Sequence, residues 1–256
     1  MKTLTMRKIL IIAALVIGLG AFNSAGAAVI NGVNWSNVYD PDVTPPNNVL
    51  PDAATPAWSL TTTGGNSTAT IASNYLAISD PALTDNRYYT NASGWDMTNG
   101  MSVEARVQML NPIGTAAIGQ IRIGNASKYL YITFDQTKIS YVNGVGGPLV
   151  TIASGLDMSV FTTVRLTLAS NLDLNIYVNN NTTPSGTLTS AVFTSGAANN
   201  ILFGDAANTV GGTSNWDYIA YTAGVFPVPE PASMALLGLG LLPLCFALYR
   251  KQRPGV

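Results

Sequence analysis

The chain has 256 residues, with twelve lysines and arginines, thirteen aspartates and glutamates, no histidine and a single cysteine, Cys245. Without an imidazole, Ser-His-Asp and Cys-His catalysis and the usual zinc ligand sets are excluded, and one cysteine cannot close an internal disulfide. Between Ala28 and Pro227, twelve acidic residues face six basic ones (Arg87, Arg106, Arg122, Lys128, Lys138 and Arg165), which argues against nucleic acid as a partner.

In chain order, Lys2, Arg7 and Lys8 precede an apolar run from Ile9 to Phe22, and Ala25-Gly26-Ala27 follows as a small-x-small site. This pattern predicts a signal peptide over residues 1–27, handled by the Sec translocon and signal peptidase, with cleavage after Ala27. Residues 28–56 carry Asp40-Pro41, Pro45-Pro46 and Pro51, and read as a Pro-rich lead-in lying irregularly over a domain, with Trp35 and Tyr39 stapling it down.

From residue 57 the dominant signal is alternation. Val103, Ala105, Val107 and Met109 alternate with Ser102, Glu104, Arg106 and Gln108, the mark of a strand with one buried face. Leu130, Ile132 and Phe134 repeat it, as do Val164, Leu166 and Leu168, and then Leu172, Leu174, Ile176 and Val178. Shorter strands are expected over 69–71, 75–78, 120–123, 139–142, 149–152, 191–194, 201–203 and 216–221. Turn chemistry separates them at Gly64-Gly65, Asn99-Gly100, Asn143-Gly144, Gly146-Gly147-Pro148, Asn179 to Asn181 and Gly211-Gly212. No sustained 3.6-residue period occurs there, so residues 57–226 are expected to form an all-β domain, a two-sheet antiparallel β-sandwich or jelly roll.

The last segment, 228–256, reads Val-Pro-Glu-Pro, then Ala232 to Tyr249 without a charge, then Arg250, Lys251, Gln252 and Arg253. As a helix, 232–249 would be about 27 Å long, close to the ~30 Å hydrocarbon core of a bilayer. Pro229 and Pro231 keep the helix from extending upstream, and the basic cluster resists translocation. The predicted arrangement is a transmembrane helix with the body outside the cytoplasm.

Pro229-Glu230-Pro231, the apolar helix and the terminal basic cluster resemble the PEP-CTERM sorting signal of Gram-negative bacteria. That resemblance implies recognition at Pro229, Glu230 and Pro231 by exosortase, a membrane-embedded cysteine transpeptidase, and removal of the tail after transient inner-membrane anchoring. It also implies a host that makes extracellular polysaccharide, with the protein delivered to the outer surface or matrix. A plain single-span anchor is the alternative. In the body, Met101 to Met109, Phe161 to Asn179, and Ile201 to Gly204 followed by Trp216-Asp217-Tyr218-Ile219 resemble concanavalin-A-like lectin/glucanase and laminin-G-like sandwiches. An Asn run stands where those folds usually place Asp-Gly.

Glycoside hydrolysis needs only two carboxylates, ~5–9.5 Å apart. Glu104 is the sole glutamate of the body, and its same-face neighbours Ser102, Arg106 and Gln108 offer no second one. Glu104 reads as a solvated surface charge, and no enzyme is expected; a glycoside hydrolase is the remote alternative. The laminin-G-like resemblance implies a rim calcium site, for which Asp205, Asn208 and Asp217 are the candidates; otherwise no cofactor is expected. Tyr129 and Tyr131 share the face opposite Leu130 and Ile132, and with Asn125 they form a candidate glycan contact, although such rings also serve as cross-strand pairs. The chain therefore reads as an exported, non-enzymatic surface or matrix protein, with a lectin-like module for extracellular polysaccharide as the alternative.

Overall fold

In the computed structural model, the alternating segments pair into two antiparallel sheets stacked as a sandwich. The structure describes residues 28–226 apart from 43–47, 93–98, 115–116, 144–146, 190–193, 196–198 and 207–209. The predicted signal peptide with Ala25 and Ala27, and the tail with Pro229, Glu230, Pro231, Arg250, Lys251 and Arg253, lie outside the described residues. No helix among those described is long and apolar enough to cross a membrane.

The strands are β1 (Ala28–Ile30), β2 (Val33–Trp35), β3 (Asn37–Tyr39), β4 (Ser59–Thr63), β5 (Thr68–Ala72), β6 (Tyr75–Asp80), β7 (Asn86–Ala92), β8 (Met101–Leu110) and β9 (Gly119–Gly124). They continue as β10 (Lys128–Phe134), β11 (Lys138–Val142), β12 (Leu149–Ser154), β13 (Thr162–Leu168), β14 (Leu174–Val178), β15 (Gly186–Leu188), β16 (Thr194–Ser195), β17 (Asn200–Asp205) and β18 (Gly212–Ala223). The first sheet runs β15-β14-β13-β8-β18-β6-β5, with β3 added to β18; the second runs β12-β11-β10-β9-β17-β7-β4, with β16 added to β10.

The expectation of an irregular lead-in is corrected for residues 28–39. Asn31 and Gly32 both adopt positive φ, 49° and 77°, the backbone a two-residue hairpin turn needs, and β1 pairs with β2 across them. Trp35 and Tyr39 are fully buried. Two of the expected turns show the backbone their residues suggest, whereas Gly144 and Gly146 lie outside the described residues. Asn179 and Asn180 stand at φ 53° and 59° after β14, so asparagine supplies the left-handed backbone without glycine. Gly100, at φ 70°, precedes β8, and a Cβ there would come within 2.3 Å of the Leu168 carbonyl oxygen.

Between the sheets lie Met101, Val103, Ala105, Val107 and Met109 of β8, Val164, Leu166 and Leu168 of β13, and Leu130, Ile132 and Phe134 of β10. The sequence periodicity placed these side chains correctly. Aromatic rings fill the centre: Phe203 is 5.0 Å from Trp58 and from Trp216, and 5.6 Å from Tyr89. A second, smaller cluster (Val33, Trp35, Val38, Tyr218 and Ala220) seals the outer face of the first sheet beneath β1 and β2.

Burial raises the pKa of Tyr39, Tyr218 and Tyr221 well above the ordinary phenol value and pushes Tyr89 up to about 12. An unfolded phenol ionises near pH ~10, so above that pH the unfolded chain releases protons that the folded chain retains. These groups favour the folded state fully below about pH 10, and that contribution is lost as pH rises. The urea midpoint should therefore fall steeply from about pH 10 to about 12; an unchanged midpoint would show that these phenols ionise freely in the fold.

Candidate functional site

The two outer sheet faces present different chemistry. On the second sheet, Ile121 and Ile123 of β9, Leu130 and Ile132 of β10, and Ile201 and Phe203 of β17 point to the core. Strand alternation therefore turns Gln120, Arg122, Tyr129, Tyr131, Thr133, Asn200 and Leu202 outward. Arg122 is in register with Tyr131 on one side and Leu202 on the other. Its guanidinium lies 5.8 Å from the Tyr129 ring centre and 5.7 Å from that of Tyr131. Arg122 Nη1 donates to Tyr131 Oη at 3.2 Å, and Nη2 donates to Asn200 Oδ1 at 2.6 Å.

The two tyrosines meet edge to face, 5.3 Å apart. Gln120 is in register with Thr133 and is only 1 % exposed. Neither Gln120 Nε2 nor Arg122 Nε, both buried, has a hydrogen-bond acceptor among the described residues. Tyr129 and Tyr131 thus occupy one surface, as expected, but Asn125 serves the β9–β10 turn. Its Oδ1 accepts from the backbone N–H groups of Ser127 and Lys128, both at 2.9 Å. Asn200 is the amide beside the rings. Arg122, Gln120 and Asn200 were not anticipated as site residues; the outward phase of 120–123 relative to 129–131 was the available signal.

On the first sheet, Glu104 is not a solvated surface charge. It is fully buried, and Arg165, 1 % exposed, is its register partner on β13. Arg165 Nε donates to Glu104 Oε2 at 2.6 Å. Glu104 Oε1 accepts from Tyr218 Oη at 2.8 Å and from Asn31 Nδ2 at 2.7 Å. The remaining guanidinium nitrogens of Arg165 reach the carbonyl oxygens of Phe226 and Asn31, at 3.3 and 3.4 Å, and the Trp35 ring lies 5.6 Å away. The N-terminal hairpin excludes water from this pair, and that covering made the difference. Burial, followed by the Glu104 charge, raises the Tyr218 phenol pKa. Among the described residues, the groups bonded to Glu104 are a cation, a phenol and an amide.

Of the calcium candidates, Asp205 ends β17, buried, in register with Arg87. Asp217 sits at the β18 bulge in an ion pair with Arg106, and Asn208 lies outside the described residues. No group of three or more acidic, His or Cys side chains is gathered among the described residues.

Fold and site together define an all-β protein, a two-sheet antiparallel sandwich with one sealed outer face and one polar, aromatic outer face. To that body the chain adds a targeting element, since residues 227–251 match the family model of the PEP-CTERM protein-sorting motif. No curated protein matches the chain. Among solved structures, the cellulose induced protein Cip1 superposes with a TM-score of 0.50 at 13% identity, over 67% of this chain and 95% of that one. A carbohydrate esterase from Shiga toxin-encoding bacteriophage phi24B gives 0.48 at 11%, over 65% and 90%. The botulinum neurotoxin serotype G binding domain gives 0.46 at 11%, over 72% of this chain but only 48% of that one. At these identities the likeness bears on the fold alone.

Proposed function

We propose that the chain is an exported, non-enzymatic component of the cell surface or extracellular matrix of a Gram-negative bacterium, sorted by its C-terminal signal and released by exosortase. The sequence of events is translocation through Sec, cleavage after Ala27, and arrest by the helix 232–249, with Arg250, Lys251 and Arg253 on the cytoplasmic side. Recognition at Pro229-Glu230-Pro231 then removes the tail. The observation that carries this reading is the sorting motif at 227–251. It begins immediately after Phe226, whose N–H donates to Ser102 Oγ at 2.9 Å and whose carbonyl oxygen accepts from Arg165. The folded body thus holds the chain up to the residue before the motif.

Replacing Pro229, Glu230 and Pro231 together by alanine should leave the protein in the inner-membrane fraction with its tail attached. Unchanged delivery to the surface would contradict recognition at those residues. A second reading, a glycan-binding module for extracellular polysaccharide, is favoured by the Tyr129–Tyr131 pair, which is half-buried on an outer sheet face beside donors that have no acceptor among the described residues. No cofactor is part of either reading.

A further inference from the structure

We infer that the outer face of the second sheet binds an acidic glycan, with a sugar carboxylate seated on Arg122; this rests on the glycan-binding reading above. Arg122 stands apart from the other arginines that face outward from a sheet. Arg165 is paired with Glu104 and Arg106 with Asp217, whereas no ion pair among the described residues includes Arg122. Its neighbours Tyr131, Tyr129, Asn200 and Leu202 are neutral, and the nearby charged residue on β10, Lys128, is also a cation. A partly buried guanidinium with no anion among the described residues is a costly arrangement, because desolvation is not offset there by a counter-charge.

Arginine offers five N–H donors in a planar fork that suits a carboxylate. Among the described residues two bonds are made, to Tyr131 and Asn200, and the buried Nε has no acceptor. Gln120 Nε2, in a side chain 1 % exposed, is a second donor on the same face without an acceptor among the described residues. Nη1 and Nη2 each keep a second N–H beyond the bonds to Tyr131 and Asn200, and a face so rich in donors suits a ligand rich in acceptors that carries a negative charge. The two tyrosine rings, set edge to face, add an apolar wall with polar tips, suited to the C–H face of a sugar ring. The body has twice as many acidic as basic residues, so its overall field repels polyanions. Attraction at Arg122 must therefore be local and geometric.

The test is calorimetric titration of the full-length chain in detergent with hexamers of galacturonate, glucuronate and mannuronate, each alongside its fully methyl-esterified form. The ester keeps the sugar backbone and removes the charge. The acids should bind about tenfold or more tightly than the esters, as expected for losing one charge-assisted fork, and more weakly as salt is raised. Arg122→Gln should remove that difference while the thermal unfolding temperature stays the same. Should this variant fold poorly, the acid-against-ester comparison on the natural chain decides alone. Equal binding of acid and ester would overturn the carboxylate assignment and leave the glycan face standing. No binding of any hexamer would remove both.

Discussion

Replacing Glu104 by alanine should lower the unfolding free energy by about 3–5 kcal/mol, because it strands a buried guanidinium without its anion. The pair is closed on all sides: Glu104 is fully buried, Arg165 nearly so, and β1 and β2 lie over both. Both carboxylate oxygens accept bonds, from Arg165 on one and from Tyr218 and Asn31 on the other. Arg165→Met alone should be similarly damaging, since it leaves the carboxylate buried. The double replacement Glu104→Leu with Arg165→Met should recover most of the loss, because an apolar pair of similar volume removes both desolvation penalties. Urea unfolding of the natural chain, Glu104→Leu, Arg165→Met and the double variant gives the coupling directly. A cost below about 1 kcal/mol for Glu104→Ala would mean that water reaches the pair, as at a surface ion pair. Arg165→Met should also expose both ends of the body to protease, because Arg165 holds the carbonyl oxygens of Asn31 and Phe226.

Phe203→Ala should cost about 3–5 kcal/mol and impair the opposite face of the second sheet at the same time. Phe203 is fully buried and touches four rings, with Tyr39 at 6.1 Å in addition to Trp58, Tyr89 and Trp216. Removing the ring leaves a cavity bounded by rigid aromatic side chains, which collapse poorly into it. Phe203 sits on β17 next to Leu202, the register partner of Arg122, so a shift of that strand moves Asn200 and the guanidinium bonded to it. Phe203→Leu, which retains more of the volume, should be milder in both respects. Urea unfolding measures the first effect and oligosaccharide titration the second; a stable Phe203→Ala variant would show that the central cluster is loosely packed.

Period-two alternation was enough to read the two-sheet sandwich. It placed Met101 to Met109, Leu130 to Phe134 and Val164 to Leu168 with the correct side inward, because one face of each strand is apolar throughout. It failed where a strand is too short to show a period. β1, β2 and β3 span three residues each, and only Asn31-Gly32 marked the hairpin. That omission led directly to the misreading of Glu104: alternation places it on the outer face, but cannot say that a further layer covers that face. The partner Arg165 is sixty-one residues away, and such pairing depends on strand order. The tyrosine pair was legible from the alternation of β10 alone. Gln120, Arg122 and Asn200 were not, because their convergence requires the register of three strands.

The most direct measurement of the central claim is the intact mass of the chain recovered from the cell surface. The account predicts a polypeptide that starts at Ala28 and lacks the segment containing Cys245 and Arg253. A surface form that still carries both residues would contradict it, and would make the tail a permanent anchor rather than a signal that is read and removed.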